Sequence, residues 1–196
     1  MTTRSAEVER STKETKIKAE LLLEGSGVHD IATGIPFFDH MLTLFSVHGF
    51  FDLKLKAIGD IEVDYHHTME DVGLVLGEAL AKALGDKKGI QRYGYAVVPM
   101  DDALSTVAID LSNRPYLVYS IPELFACQST AYSNLFKEFF RAFSNKAGMN
   151  LHIQASYGEN DHHIIESIFK AFARALDQAT STDGRVRQVH SSKGVL

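Results

Sequence analysis

A pentad of metal-ligand residues, His66-His67-Thr68-Met69-Glu70, recurs as His162-His163-Ile164-Ile165-Glu166, and the segments around it recur with it. Moving the first half forward by 96 positions sets Ala79, Leu80 and Ala83 on Ala175, Leu176 and Ala179, the apolar stripe of a helix expected after each pentad. Upstream the offset is 98. Phe37-Phe38-Asp39-His40 falls on Leu135-Phe136-Lys137-Glu138, Phe45-Ser46 on Phe143-Ser144, and Leu53 and Ala57 on Leu151 and Ala155. A two-residue deletion between strand and pentad in the second copy accounts for the change, and it puts His40 and Glu138 at one place. Such a chain is expected to fold as two like halves packed as one domain over residues 1–196. The repeats would cover about residues 4–90 and 91–180, followed by a tail, 181–196.

Local patterning fills in the halves. Residues 16–21 alternate strictly between polar and apolar, as a strand with one wet face does, and run on to a turn at Gly25-Ser26-Gly27. Pro36 followed by Phe37, Phe38, Met41, Leu42, Leu44 and Phe45 predicts a helix ending near Gly49. Alternation resumes over 52–57, turns at Gly59-Asp60 into Ile61-Glu62-Val63, and gives way to the pentad helix, which Gly85 ends. The second half repeats the order, with strands over 103–111, 116–120 and 150–157, a helix over 131–145, and a pentad helix to about residue 179. The fold class this predicts is α/β (α+β): two mixed sheets, each covered by helices. Residues 180–196 have no apolar periodicity and read as a mobile tail.

Within a pentad on a helix, the Glu lies four residues after the first His and three after the second, so its carboxylate can share a face with either imidazole. Adjacent histidines point about 100° apart. One pentad therefore offers ligands in two directions, which suits two ions better than one. A lone copy would read more simply as a solvated helix start; a solvated surface has no reason to reproduce it. The donors are imidazole and carboxylate without thiolate, a set that fits Mn²⁺, Fe²⁺, Co²⁺, Ni²⁺ or Zn²⁺. Two sets of four imidazole and carboxylate ligands would saturate tetrahedral zinc but leave six-coordinate ions open to substrate, which favours Mn²⁺.

Composition narrows the partners. A net charge of −5 argues against nucleic acid or an anionic membrane. The single cysteine, Cys127, permits no internal disulfide and points to a reducing, cytoplasmic setting. No apolar run approaches a membrane span, and residues 1–12 lack the apolar core of a signal peptide.

Thr12-Lys13-Glu14-Thr15, Gly25-Ser26-Gly27, Gly34-Ile35-Pro36-Phe37-Phe38-Asp39-His40-Met41-Leu42, the two pentads and the closing Ser191-Ser192-Lys193-Gly194-Val195-Leu196 together resemble the imidazoleglycerol-phosphate dehydratase family of histidine biosynthesis. The likeness runs from about Arg4 to the last residue. It implies a duplicated α/β subunit, a homo-oligomer of twenty-four chains, and two Mn²⁺ per active site formed between subunits. The implied metal ligands are His40, His66, His67, Glu70, Glu138, His162, His163 and Glu166. The implied reaction dehydrates D-erythro-imidazole glycerol phosphate to imidazole acetol phosphate. Its proton is not acidic alone, and a diazafulvene-like ring, formed from a substrate imidazolate held between two cations, can accept the electrons. By the same resemblance Glu14 transfers the proton, while His48, Arg92, Arg114, Ser191, Ser192 and Lys193 bind the phosphorylated substrate. Forked guanidinium donors, hydroxyls and an ammonium suit a phosphate.

Two positions depart from the family pattern: many members carry His where Glu138 stands, and His190 replaces the usual Pro before the Ser-Ser-Lys tail. His152 reads as a hydrogen-bonded strand residue, and His29 and His190 as exposed loop residues. Two other readings of the ligands stand beside the dehydratase. A dinuclear metallohydrolase would use the same ions on a phosphorylated small molecule, and a metal-storage or sensing protein could pair carboxylates and histidines in a ferritin-like bundle. The alternating strands disfavour the bundle, and the basic residues favour an enzyme.

Overall fold

The computed structural model describes residues 3–121 and 130–196; Cys127 and the rest of 122–129 lie outside the described residues, as do the side chains of 130–133. Each half runs strand, strand, strand, helix, strand, helix. The first comprises β1 (Ser5–Ser11), β2 (Thr15–Leu22), β3 (His29–Ala32), α1 (Pro36–Gly49), β4 (Asp52–Gly59) and α2 (His66–Leu84). The second comprises β5 (Tyr93–Met100), β6 (Ala103–Asp110), β7 (Tyr116–Ser120), α3 (Thr130–Ala147), β8 (Asn150–Tyr157) and α4 (Asp161–Thr180). The sheets have matching orders, β1-β2-β4-β3 and β5-β6-β8-β7. In both, the last pair is parallel and the others antiparallel. A parallel pair needs a crossover connection, and the segments containing α1 and α3 supply it.

β4 and β8 stand 98 positions apart, but β2 and β6 start 88 apart. The second half therefore holds ten extra residues between β7 and α3. Strands β1, β3 and β5 were not expected from patterning, and residues 61–63 form a turn. All three missed strands are sheet edges, which bury few side chains and so carry weak alternation; β1 buries only Val8. β5 carries Pro99, which an edge tolerates because a missing N–H there costs no ladder bond. His29 accordingly begins a strand instead of sitting in a loop, with Nδ1 2.9 Å from the Gly27 carbonyl. His152 lies on β8, 2 residues beyond Asn150, whose Oδ1 it meets at 3.0 Å.

The helices bury both halves against each other: α2 packs on α3 and α1 on α4, with each sheet behind its own pair. Gly73 and Gly77 let α2 approach closely, since a methyl at either would come within 2.5 Å of a carbonyl of α3. Between the helices lies a cluster of aromatic rings. Phe38 meets Phe139 edge-on at 5.2 Å, Phe139 stacks on Phe169 at 5.7 Å, and Phe45 stacks on Phe172 at 5.6 Å. Such pairs add about 0.5–1.5 kcal/mol each beyond buried area. This core, which no side of the chain could bury alone, fixes α1 relative to α4 and so sets the geometry of the residues they carry. Among the described residues no helix is long and apolar enough to cross a membrane.

The tail is not free along its length. Thr182 bridges Ile90, the Gly89 N–H donates to the Gln188 carbonyl at 3.2 Å, and Arg92 reaches the His190 carbonyl at 2.6 Å. Lack of apolar periodicity concealed an attachment made through backbone groups.

Candidate active site

α4 is started by Asn160, whose side chain accepts the His162 N–H at 2.9 Å. That cap places His162 in the first turn and Glu166 one turn on. His162 Nε2 lies 3.1 Å from Glu166 Oε2, and His40 Nε2, arriving from α1 in the other half, lies 3.3 Å from the same oxygen. The three ligand atoms fall within 4.8 Å of one another, the one such grouping of three among the described residues. Glu166 Oε1 is taken by Lys170 at 2.7 Å. Burial alone would raise the Glu166 carboxyl, but Lys170, His40 and His162 outweigh it and hold the group below its ordinary value. An ionised oxygen facing two imidazole nitrogens is a donor set that fits a borderline divalent cation.

The first pentad repeats half of this. His66 Nε2 is 3.5 Å from Glu70 Oε2. Glu138, the repeat partner of His40, instead receives two bonds from Arg141, at 2.8 and 2.6 Å. Lys170 and Arg141 correspond to Leu74 and Thr43, so the two halves differ electrostatically where they agree in fold.

The second histidine of each pentad turns away, its ring at 86° to His66 in one case and 79° to His162 in the other. His67 donates from Nδ1 to Asp60 at 3.0 Å, with Glu14 Oε2 3.9 Å off. His163 donates from Nδ1 to Asp102 at 2.5 Å. The Asp60 bond raises the His67 pKa, and the Asp102 bond raises that of His163. Asp102 is itself held well below the carboxylate range by His163 and by two backbone N–H groups, those of Glu159 and Asn160. A carboxylate on Nδ1 fixes the tautomer that leaves Nε2 as the lone-pair donor, the usual support for a metal-binding histidine. Sequence reading named the histidines and missed both carboxylates, which arrive from turns.

Glu14 sits in the β1–β2 turn. Thr12 Oγ1 accepts the Glu14 and Thr15 N–H groups at 3.1 and 2.9 Å, and the Glu14 carbonyl accepts from Asp60 N–H at 3.2 Å. Below it, buried Asp71 takes Thr15 Oγ1–H at 2.5 Å and Arg10 at 2.9 Å. The turn walls a cavity of about 190 Å³ shared with Arg10, His67, Glu70 and Asp71. With the offset of 88, Asp102 occupies the place of Glu14 in the second half, a correspondence readable from the two alternating strands that follow.

Two of the expected phosphate residues, Arg92 and Arg114, meet around Asp110. Arg92 is buried and grips Asp110 with Nε at 2.6 Å and Nη2 at 3.0 Å. The Asp110 bonds raise the Arg92 pKa. Arg114, exposed, holds Nη2 3.7 Å from the same carboxylate. Arg92 also binds the carbonyl just before Ser191, where Lys193 N–H donates to Ser191 Oγ at 3.2 Å. His48, in the last turn of α1, faces a different cavity with Tyr95, Arg174 and Asp177. Burial, Lys170 and Arg174 lower its pKa, which favours neutral imidazole.

Fold and site define the class: an internally duplicated α/β protein carrying a histidine–carboxylate ligand cluster where its halves meet. The imidazoleglycerol-phosphate dehydratase family profile matches residues 33–176. Two relatives of that name, from Desulfosudis oleivorans and Syntrophobacter fumaroxidans, are 59% and 60% identical over 193 residues, spanning 98% of this chain and 99% and 98% of theirs. Crystal structures of the enzymes from Staphylococcus aureus and Pyrococcus furiosus superpose with TM-scores of 0.79 and 0.81 at 36% and 38% identity, covering 91% and 96% of this chain and 99% and 100% of theirs. The chain belongs to the imidazoleglycerol-phosphate dehydratase family, which serves histidine biosynthesis.

Proposed function

We propose that this chain dehydrates D-erythro-imidazole glycerol phosphate to imidazole acetol phosphate with two Mn²⁺ per active site. The observation that carries the reading is the convergence of His40 Nε2, His162 Nε2 and Glu166 Oε2 across the two halves of a chain in this family. These three would hold one ion. His66, Glu70 and Glu138 supply the related set, and His67 and His163, tethered at Nδ1, direct their remaining nitrogens elsewhere, as ligands shared with another chain would. When bound, the cations would stabilise negative charge on the substrate's imidazole ring.

The residues divide the remaining work. Glu14, its turn braced by Thr12 and Asp71, accepts the proton from the second side-chain carbon as the hydroxyl on the ring-attached carbon leaves as water, and the resulting enol becomes the ketone of the product. Arg92, Arg114, Ser191, Ser192 and Lys193 hold the phosphate, and His48 contacts substrate as a neutral donor or acceptor. Binding energy from the phosphate then positions the carbon against Glu14. The chain assembles with copies of itself, twenty-four by the family resemblance, and the outer face of the second sheet supports contact with other chains. Tyr93, Tyr95 and Val97 on β5 and Tyr116 and Val118 on β7 are exposed there, and such a surface belongs at an interface. A single cysteine accords with the cytoplasm.

Incubating purified protein with the substrate and following the acetol product tests the reading. Turnover that stops on chelation and returns with Mn²⁺ is expected. No product from metal-replete protein, or full turnover after elemental analysis shows the metal gone, would overturn it.

A further inference from the structure

Lys87 lies in the loop between α2 and β5, only 4% exposed, with a backbone φ of 58°. Burying an ammonium costs several kcal/mol unless partners and function repay it. Its partners are neutral: Nζ donates to Asn113 Oδ1 at 2.6 Å and to the Leu111 carbonyl at 3.3 Å. Burial lowers its pKa, Arg92 adds to that, and among the described residues Asp110 alone opposes it. Asp110 is already committed to Arg92 and faces Arg114. Two guanidinium groups thus share one carboxylate while the Lys87 ammonium has only neutral partners, and the cluster keeps surplus positive charge in a chain whose net charge is −5.

The loop that Lys87 grips connects β6 to β7 and carries Arg114. Asn113 holds a φ of 56°, and the Leu111 N–H donates to the Arg92 carbonyl at 3.1 Å. The backbone of the Lys87 loop also receives the tail, through Gly89 with Gln188 and Asp183. Arg92, Arg114 and the Ser191-Ser192-Lys193 tail therefore hang on one short segment that buries the Lys87 side chain.

We propose that Lys87 is a positioning residue for phosphate binding: it pins Leu111 and Asn113 so that Arg114 stands beside Arg92, and its buried charge leaves that face short of an anion. This rests on the reading that Arg92 and Arg114 receive the substrate phosphate.

The test uses Lys87→Met, which keeps length and the apolar stem, with inorganic phosphate as the probe. Expected are a KM for imidazole glycerol phosphate raised about tenfold or more, a parallel weakening of phosphate binding by calorimetry, and kcat within about twofold. A residue serving stability alone would move the thermal midpoint and leave the phosphate affinity. Asn113→Gly removes the acceptor while allowing the positive φ; it should weaken phosphate binding too, and the double variant should be no worse than the more affected single one. It also carries the test if Lys87→Met does not fold. Unchanged phosphate affinity in a folded variant, full additivity, or a loss confined to kcat would overturn the proposal. Lys87-dependent phosphate binding in protein that fails to turn over the substrate would sink the dehydratase reading and leave this one standing.

Discussion

Gly94, on β5, is buried beneath α4, and a methyl group there would sit 1.7 Å from the Ala175 carbonyl oxygen and 2.7 Å from its carbon. An ordinary C···O contact is about 3.3 Å, so Gly94→Ala obliges strand and helix to part by roughly 1.6 Å. Extra methylenes that neighbours can absorb cost about 1–3 kcal/mol. Here the neighbour is helix backbone, which cannot rotate aside, and the expected loss is at least the upper figure, about 3 kcal/mol. At about 2–4 °C per kcal/mol for a chain of this size, the thermal midpoint should fall by about 6–12 °C. Because α4 also carries His162 and Glu166, bound Mn²⁺ per chain should fall as well. Circular dichroism melts at matched protein concentration, with Gly184→Ala as control, measure the effect; a methyl at Gly184 meets nothing within 4 Å and should change stability by less than about 0.5 kcal/mol. A Gly94→Ala midpoint within about 2 °C of the parent would refute the reasoning, since it would mean that strand and helix are free to separate.

Glu14→Gln should lower kcat by a factor of about 10² or more with metal content and KM nearly unchanged, whereas Lys193→Ala should chiefly raise KM; loss of metal from Glu14→Gln would mean its role is misassigned. Glu138→Ala should weaken one of the two ions without stripping the other, by isothermal titration with Mn²⁺; retention of both at unchanged affinity would leave Glu138 as no more than the partner of Arg141. The Asp52 carboxylate accepts N–H groups of Ser26 and Val28 at 2.7 and 2.9 Å, and these bonds hold its pKa down. Its stabilisation is whole above the unfolded Asp value near about 3.9 and is lost as pH falls through the lower folded value. Asp52→Asn, which keeps the acceptor but not the charge, should cost about 0.5–1 kcal/mol at pH 7 after solvent screening, and urea midpoints of the two proteins should converge in acid. A gap that widens in acid would contradict this sign.

Helices and central strands were legible because burial imposes a period on them: the spacing of Phe38, Met41, Leu42 and Phe45 predicts α1 as the structure has it. The edge strands β1, β3 and β5 were not, because β1 and β5 owe their place to backbone pairing and leave alternate side chains to solvent. The same division holds at the site. A repeated pentad exposed the histidines to sequence reading, and the repeat alone connected His40 with Glu138. The groups that aim those histidines, Asp60 and Asp102, come from turns whose distance in sequence follows no period. Arg92 carries no sign in the sequence that Asp110 and the His190 carbonyl bury it.

Anomalous diffraction at the manganese edge, from crystals of protein that is dehydrating its substrate in solution, tests the metal-centred reading most directly. Two peaks per site are expected, one of them about 2.0–2.6 Å from His40 Nε2, His162 Nε2 and Glu166 Oε2 together. Fully active protein with no peak at that cluster would contradict it.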